Sequence, residues 1–151
     1  MAESNRVLIV EARFYEEYAD ELRKGAIQAL DKAGVAYDVL DVPGAFEIPA
    51  AIQFAIEGMT HGNGPHYDGF VALGCVIRGE TTHYDYVCVE SARALMNLST
   101  QQGIALGYGI ITVENDDQAA ARARVDKKNK GGVAADACLR MMAIKKQFGL
   151  S

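Results

Sequence analysis

Apolar runs alternate with amphipathic stretches along the chain. Val7-Leu8-Ile9-Val10 is a continuous β-branched and leucine run, the pattern of a strand buried on both faces. It ends at Glu11-Ala12-Arg13-Phe14-Tyr15, and a helix follows with Tyr18, Leu22, Ala26, Ala29 and Ala33 on one face and Gly34 as its stop. Tyr37–Val42 reads as a second strand, broken by Pro43-Gly44. Pro49 suits the first turn of a second helix, whose apolar face is Ile48, Ile52, Ala55, Ile56 and Met59. Gly58–Gly69 is polar and reads as an exposed loop. Phe70-Val71-Ala72-Leu73 is the third strand; the helix beyond it places Cys88, Ala92, Leu95, Met96 and Ser99 on one face and stops near Gly103. Ile104–Val113 is the fourth strand, followed by a short helix around Gln118–Arg124 and a basic loop, Lys127–Gly132. The last helix presents Ala134, Ala137, Cys138, Met141, Ile144 and Phe148, a stripe that reads as core or interface packing.

Four strand–helix repeats predict an α/β fold: a parallel sheet with helices on both faces and right-handed crossovers, in one domain over residues 1–151. Ligands of such sheets bind beyond the carboxyl ends of the strands. Those ends carry Arg13-Phe14-Tyr15, Val42–Glu47, Cys75–His83 and Glu114-Asn115-Asp116, so aromatics, a carboxylate and a histidine are expected on one rim.

Composition narrows the partners. Half of the 151 residues are hydrophobic, with 15 glycines and 3 prolines, which describes a compact chain. A net charge of −5 offers no basic footprint for nucleic acid or an anionic membrane. Met1–Arg6 lacks the apolar core of a secretion signal, and no run is long enough to span a bilayer, so a soluble cytoplasmic protein is expected. Cys75, Cys88 and Cys138 are odd in number and have no C-x-x-C spacing; they read as buried, reduced thiols. His61 and His66 lie in the glycine-rich loop without a cysteine nearby and read as surface residues, leaving no metal site.

The most informative stretch is Leu73–Tyr86. A strand turning through Gly74 and Gly79 into a helix start points backbone N–H groups and the positive end of the helix dipole the same way, which suits an anion. Thr82 and Asp85 have capping-box spacing, which puts His83 in the first helical turn. A histidine there is placed for proton transfer. The Gly74/Gly79 spacing imitates a P-loop, but Glu80 stands where that loop needs lysine, which excludes a P-loop NTPase. Gly107-x-Gly109 lies inside a strand and has Thr112 at the third glycine position, so it is not a dinucleotide fingerprint.

Five segments, in order over nearly the whole chain, together resemble the lumazine synthase family: Arg13-Phe14, Val42–Pro49, Leu73–Asp85, Thr112–Asn115 and Asn129–Gly131. The resemblance implies a flavodoxin-like three-layer sandwich with a four-stranded parallel sheet, and a cofactor-independent transferase of riboflavin biosynthesis. It would condense 5-amino-6-(D-ribitylamino)uracil with 3,4-dihydroxy-2-butanone 4-phosphate to give 6,7-dimethyl-8-ribityllumazine. It further implies His83 as general acid/base, Phe14 as the aromatic under the pyrimidine, and Glu47 as acceptor from ribityl hydroxyls. Ala45, Phe46, Val76 and Ile77 would line the ring pocket. Gly79, Glu80, Thr81, Thr82 and Arg122 would hold the phosphate, with Lys130 on a nearby basic position. Tyr108 would reach in from the next subunit of a homo-oligomer, a pentamer or pentamer-based shell, with riboflavin synthase as a further partner. The chain departs from the family pattern at Tyr15, where a smaller polar residue is common, at Glu80, at Asp126, where some members have lysine, and in a longer Gly58–Gly69 loop.

Two other readings of the same residues are a flavin-binding module and a shell-forming paralogue without catalysis. The first would want a phosphate loop after the first strand, where Glu11-Ala12-Arg13-Phe14-Tyr15 has no glycine and few hydroxyls. The second is disfavoured by His83, Arg122 and Glu47 standing together.

Overall fold

The computed structural model describes residues 5–150; Met1–Ser4 and Ser151, part of the expected 1–151 domain, lie outside the described residues. Strands β1 (Arg6–Ala12), β2 (Ala36–Val42), β3 (Gly69–Ile77) and β4 (Leu106–Val113) form one parallel sheet in the order β2-β1-β3-β4. Helices α1 (Glu16–Lys32), α2 (Ile48–Thr60), α3 (His83–Gln101), α4 (Asp116–Ala123) and α5 (Lys130–Gln147) complete a three-layer α/β/α sandwich of flavodoxin-like order.

Strand alternation divides the interior in two. Val7, Ile9, Val71, Leu73, Ile111 and Val113 point to one face, where Tyr18, Leu22, Ala26 and Leu30 of α1 meet Ala134, Ala135 and Cys138 of α5. Leu8, Val10, Phe70, Ala72 and Ile110 point to the other, against Ile48 and Ile52 of α2 and Val87, Leu95 and Leu98 of α3. Two glycines let α1 and α5 approach at backbone distance. A Cβ on Gly131 would lie 1.9 Å from the Leu22 carbonyl oxygen, and one on Gly25 would lie 2.1 Å from Asn129 Oδ1. Asn129 takes φ 48° at the N-cap of α5 and accepts from the Gly132 amide at 3.2 Å.

Several expected faces are rotated. On α3 the buried side is Val87, Ser91, Leu95 and Leu98; Cys88, Ala92 and Ser99 are half-buried, and Met96 is 62% exposed. On α5 the buried side is Gly131, Gly132, Ala134, Ala135 and Cys138, while Ala137, Met141 and Phe148 face out. On α1, Leu30 rather than Ala33 continues the core stripe. In each case the apolar stripe is wider than the packing face, and on α5 the close approaches at Gly107 and Gly131 choose the side that goes in. Boundaries shift too: α2 runs through Gly58 to Thr60, α4 begins at Asp116, and the basic segment is already helical from Lys130. Cys75 and Cys88 are half-buried; Cys138 is buried.

Candidate active site

The strand order reverses between β1 and β3, and a crevice opens beyond their carboxyl ends, the place where sheets of this kind bind ligands. A cavity of about 520 Å³ occupies it. Its walls come from four places: Ala12 at the end of β1 with Phe14 and Tyr15 after it; Gly44, Ala45, Phe46 and Glu47 after β2; Cys75, Val76 and Ile77 at the end of β3; and His83, Tyr86 and Val87 on α3. A groove of about 600 Å³ between α1 and α4 is lined by Glu17, Glu21, Lys24, Arg124 and Asp126 among others, and it does not share these residues.

The wall chemistry is flat and apolar, with two polar tips. Phe14 is 77% exposed and Phe46 57%, an unusual state for phenylalanine unless something flat covers it. Tyr15 meets the Phe14 ring edge-on at a centroid distance of 4.9 Å. Gly44 leaves room for the Glu47 carboxylate: a Cβ there would stand 3.2 Å from Glu47 Oε1. Burial pushes the Cys75 thiol up to about 12, so it serves as neutral wall and not as a nucleophile.

His83 is the first residue of α3 and is solvent-accessible. Its backbone amide donates to Thr81 Oγ1 at 3.3 Å. The expected Thr82/Asp85 capping box does not form. Thr82 is the N-cap residue, but its φ of −74° and ψ of 0° are helical, not the extended values that let a side chain reach back, and it makes no side-chain cap bond. Asp85 turns instead to Arg78, 3.4 Å from its Nη1. Arg78 also donates from Nε to Glu114 Oε2 at 2.7 Å and lies 4.3 Å over the Tyr84 ring. One guanidinium thus ties the ends of β3 and β4 to the first turn of α3.

Of the residues singled out in the sequence, Phe14, Ala45, Phe46, Glu47, Val76, Ile77 and His83 line the cavity. Gly79, Glu80, Thr81 and Thr82 form the exposed loop beside His83 and do not line it. Tyr108, 45% exposed on β4, lies outside the cavity lining. Arg122 sits on α4, its Nη1 donating to the Gln118 carbonyl at 3.2 Å, and Lys130 opens α5; neither lines the cavity of its own chain. Tyr86 and Val87 follow His83 at helical spacings of three and four, a signal that placed them on the same wall.

A parallel sheet with an aromatic-walled crevice at its switch point and a histidine on its lip has the build of a small-molecule site in the α/β sandwich class. Residues 4–146 match the family described as 6,7-dimethyl-8-ribityllumazine synthase. The chain is 57% identical over 149 residues to the 6,7-dimethyl-8-ribityllumazine synthase of Bartonella tribocorum, covering 99% of this chain and 95% of the relative. It is 59% identical over 143 residues to 6,7-dimethyl-8-ribityllumazine synthase 1 of Rhizobium meliloti, covering 95% and 93%. The Agrobacterium fabrum protein of the same description is 57% identical over 143 residues, covering 95% and 96%. The chain belongs to the 6,7-dimethyl-8-ribityllumazine synthase family. It is accordingly a transferase of riboflavin biosynthesis that joins a ribitylamino-uracil to a butanone phosphate.

Proposed function

We propose that this condensation takes place in the β1/β3 crevice and that a neighbouring chain completes the site. An amine must add to a ketone, phosphate must leave, and a ring must close with loss of water. Every step moves protons and none changes the oxidation level overall, so the reaction calls for acid/base groups and an anion site and needs no cofactor. Phe14 offers its face to the pyrimidine; Ala45, Phe46, Val76 and Ile77 enclose the ring; Glu47 accepts from ribityl hydroxyls. His83 carries protons between the amine, the carbonyl oxygen and the departing phosphate. The loop Gly79-Glu80-Thr81-Thr82 gives backbone and hydroxyl donors to the phosphate.

The observation that carries the shared-site reading is charge. The cavity lining holds Glu47 and His83 but no lysine or arginine. A dianionic phosphate beside Glu80 wants a permanent cation, and Arg122 and Lys130 lie off the cavity of their own chain. Arg122, Lys130 and Tyr108 then serve the pocket of the adjacent copy. The exposed Val89, Met96 and Tyr108 suit burial against another subunit. The working form is a pentamer or a pentamer-based shell of single-domain chains spanning 1–151, with riboflavin synthase as the enzyme that takes up the product. Among the described residues no helix is long and apolar enough to cross a membrane, and the three free thiols suit a reducing cytoplasm.

Purified protein supplied with both substrates should develop the lumazine chromophore. His83→Ala should lower turnover roughly 10²–10⁴-fold above the spontaneous rate. Full turnover in that variant would remove His83 from the mechanism.

A further inference from the structure

Glu11 is 1% exposed, and with Ser91 it makes up the buried polar set among the described residues. It ends the β1 stripe Val7, Ile9, Glu11, so its side chain points to the α1/α5 face and does not line the rim cavity. Both carboxylate oxygens are taken. Arg13 Nη1 donates to Oε1 at 2.6 Å and Arg23 Nη1 to Oε2 at 3.1 Å. Arg13 Nη2 reaches across to Asp20, which also lies 3.5 Å from Arg23 Nη2. Two acids and two bases close a neutral ring joining the end of β1, the β1–α1 turn and the first two turns of α1.

Such a ring is a poor source of stability. Taking a carboxylate out of water is costly, and an apolar residue continuing the Val7/Ile9 stripe would bury without that cost. What the ring does fix is direction, because a guanidinium held at two separate nitrogens by two separate carboxylates has little freedom to rotate. The residue so held is Arg13, next in the chain to Phe14. Phe14 has little packing of its own: it is 77% exposed, with a single aromatic contact, T-shaped, to Tyr15.

We propose that Glu11 is a positioning residue: by gripping Arg13 from behind the sheet, it sets the β1–α1 turn so that Phe14 stands as a fixed wall of the crevice. The functional consequence rests on the reading of Phe14 as the platform for the pyrimidine. Pre-setting an exposed ring removes an ordering cost that the substrate would otherwise bear. Arg23 grips the same carboxylate from α1 but is not attached to the turn, so it stabilises without positioning.

The chain has no tryptophan, so Phe14→Trp supplies a single reporter. In that background the indole's fluorescence anisotropy should decay mainly with tumbling of the whole particle. Adding Glu11→Gln should raise the fast local component at least about twofold, whereas adding Arg23→Gln should lower the melting temperature and leave the local component unchanged. With Phe14 in place, Glu11→Gln should raise KM for the pyrimidine roughly tenfold, with kcat and KM for the butanone phosphate within about twofold. If Glu11→Gln fails to fold, Arg13→Gln carries the same expectations. Local motion in Glu11→Gln, or in Arg13→Gln in its stead, no greater than in Arg23→Gln overturns the proposal. A loosened indole with unchanged pyrimidine KM would leave the positioning intact and overturn the platform reading of Phe14 instead.

Discussion

Arg78 Nε donates to Glu114 Oε2 at 2.7 Å, bridging the carboxyl ends of β3 and β4 where the loop bearing His83 departs. The same guanidinium lies against Asp85 and over Tyr84, so strand ends and helix start are held in one register. Its side chain is 41% exposed, and exposed pairs contribute little stability. Arg78→Gln should therefore leave the denaturant midpoint close to that of the unsubstituted protein. Its larger effect should fall on kcat, through misplacement of His83, while KM for the pyrimidine holds. A clearly lowered midpoint with unchanged kcat would make Arg78 a structural staple only.

The α1–α5 contact gives a steric test. Gly131→Ala would put a methyl group 1.9 Å from the Leu22 carbonyl oxygen, a backbone atom that cannot swing aside. The variant should lose about 3 kcal/mol, visible as a lowered urea midpoint. Gly58, within α2, is the contrast. A Cβ there meets nothing nearer than 3.7 Å, and Gly58→Ala should be neutral or stabilising by about 0.4–1 kcal/mol.

Alkali should weaken the fold by proton linkage. Burial holds the Cys75 and Cys138 thiols up to about 12, and burial with donation to Asp38 at 2.7 Å holds the Tyr67 phenol up to about 12. The unfolded chain loses these protons near the ordinary values of 9.0 and 10.0, while the folded chain keeps them. The stabilisation is therefore complete below about pH 9 and is lost as pH rises towards 12, by about 1.4 kcal/mol per pH unit for each retained proton. Urea midpoints measured from pH 7 to 11 should stay level and then fall, and the fall should be shallower in Cys138→Ala. A midpoint that rises above pH 9 would contradict this.

The layers were legible because alternation and helical period act locally: Val7/Ile9 and Leu8/Val10 already separate the two cores. The inward faces of α3 and α5 were less legible. Met96, Met141 and Phe148 are as apolar as the residues that go in; on α5 the close approaches at Gly107 and Gly131 decide the rotation, while α3 turns Val87, Leu95 and Leu98 inward against the sheet and α2. Phe14, Glu47 and His83 could be read from their strand-end positions. Glu11 could not. A glutamate at a strand end looks solvated, and its burial depends on Arg23, twelve residues away, coming round on the next helix.

The proposed site is divided between chains, with His83 on one and Arg122 on its neighbour. Arg122→Ala should weaken the butanone phosphate far more than the pyrimidine, since one substrate alone carries the anion, and inorganic phosphate should compete for the same place. The direct measurement is co-assembly of His83→Ala chains with Arg122→Ala chains in equal amounts, with mixed particles confirmed by mass. Random mixing gives about a quarter of the sites both groups intact, because each of the two contributing chains is sound half the time. A shared site should give lumazine formation near a quarter of the unsubstituted rate, well above either parent. Activity no higher than the average of the two parents would contradict it.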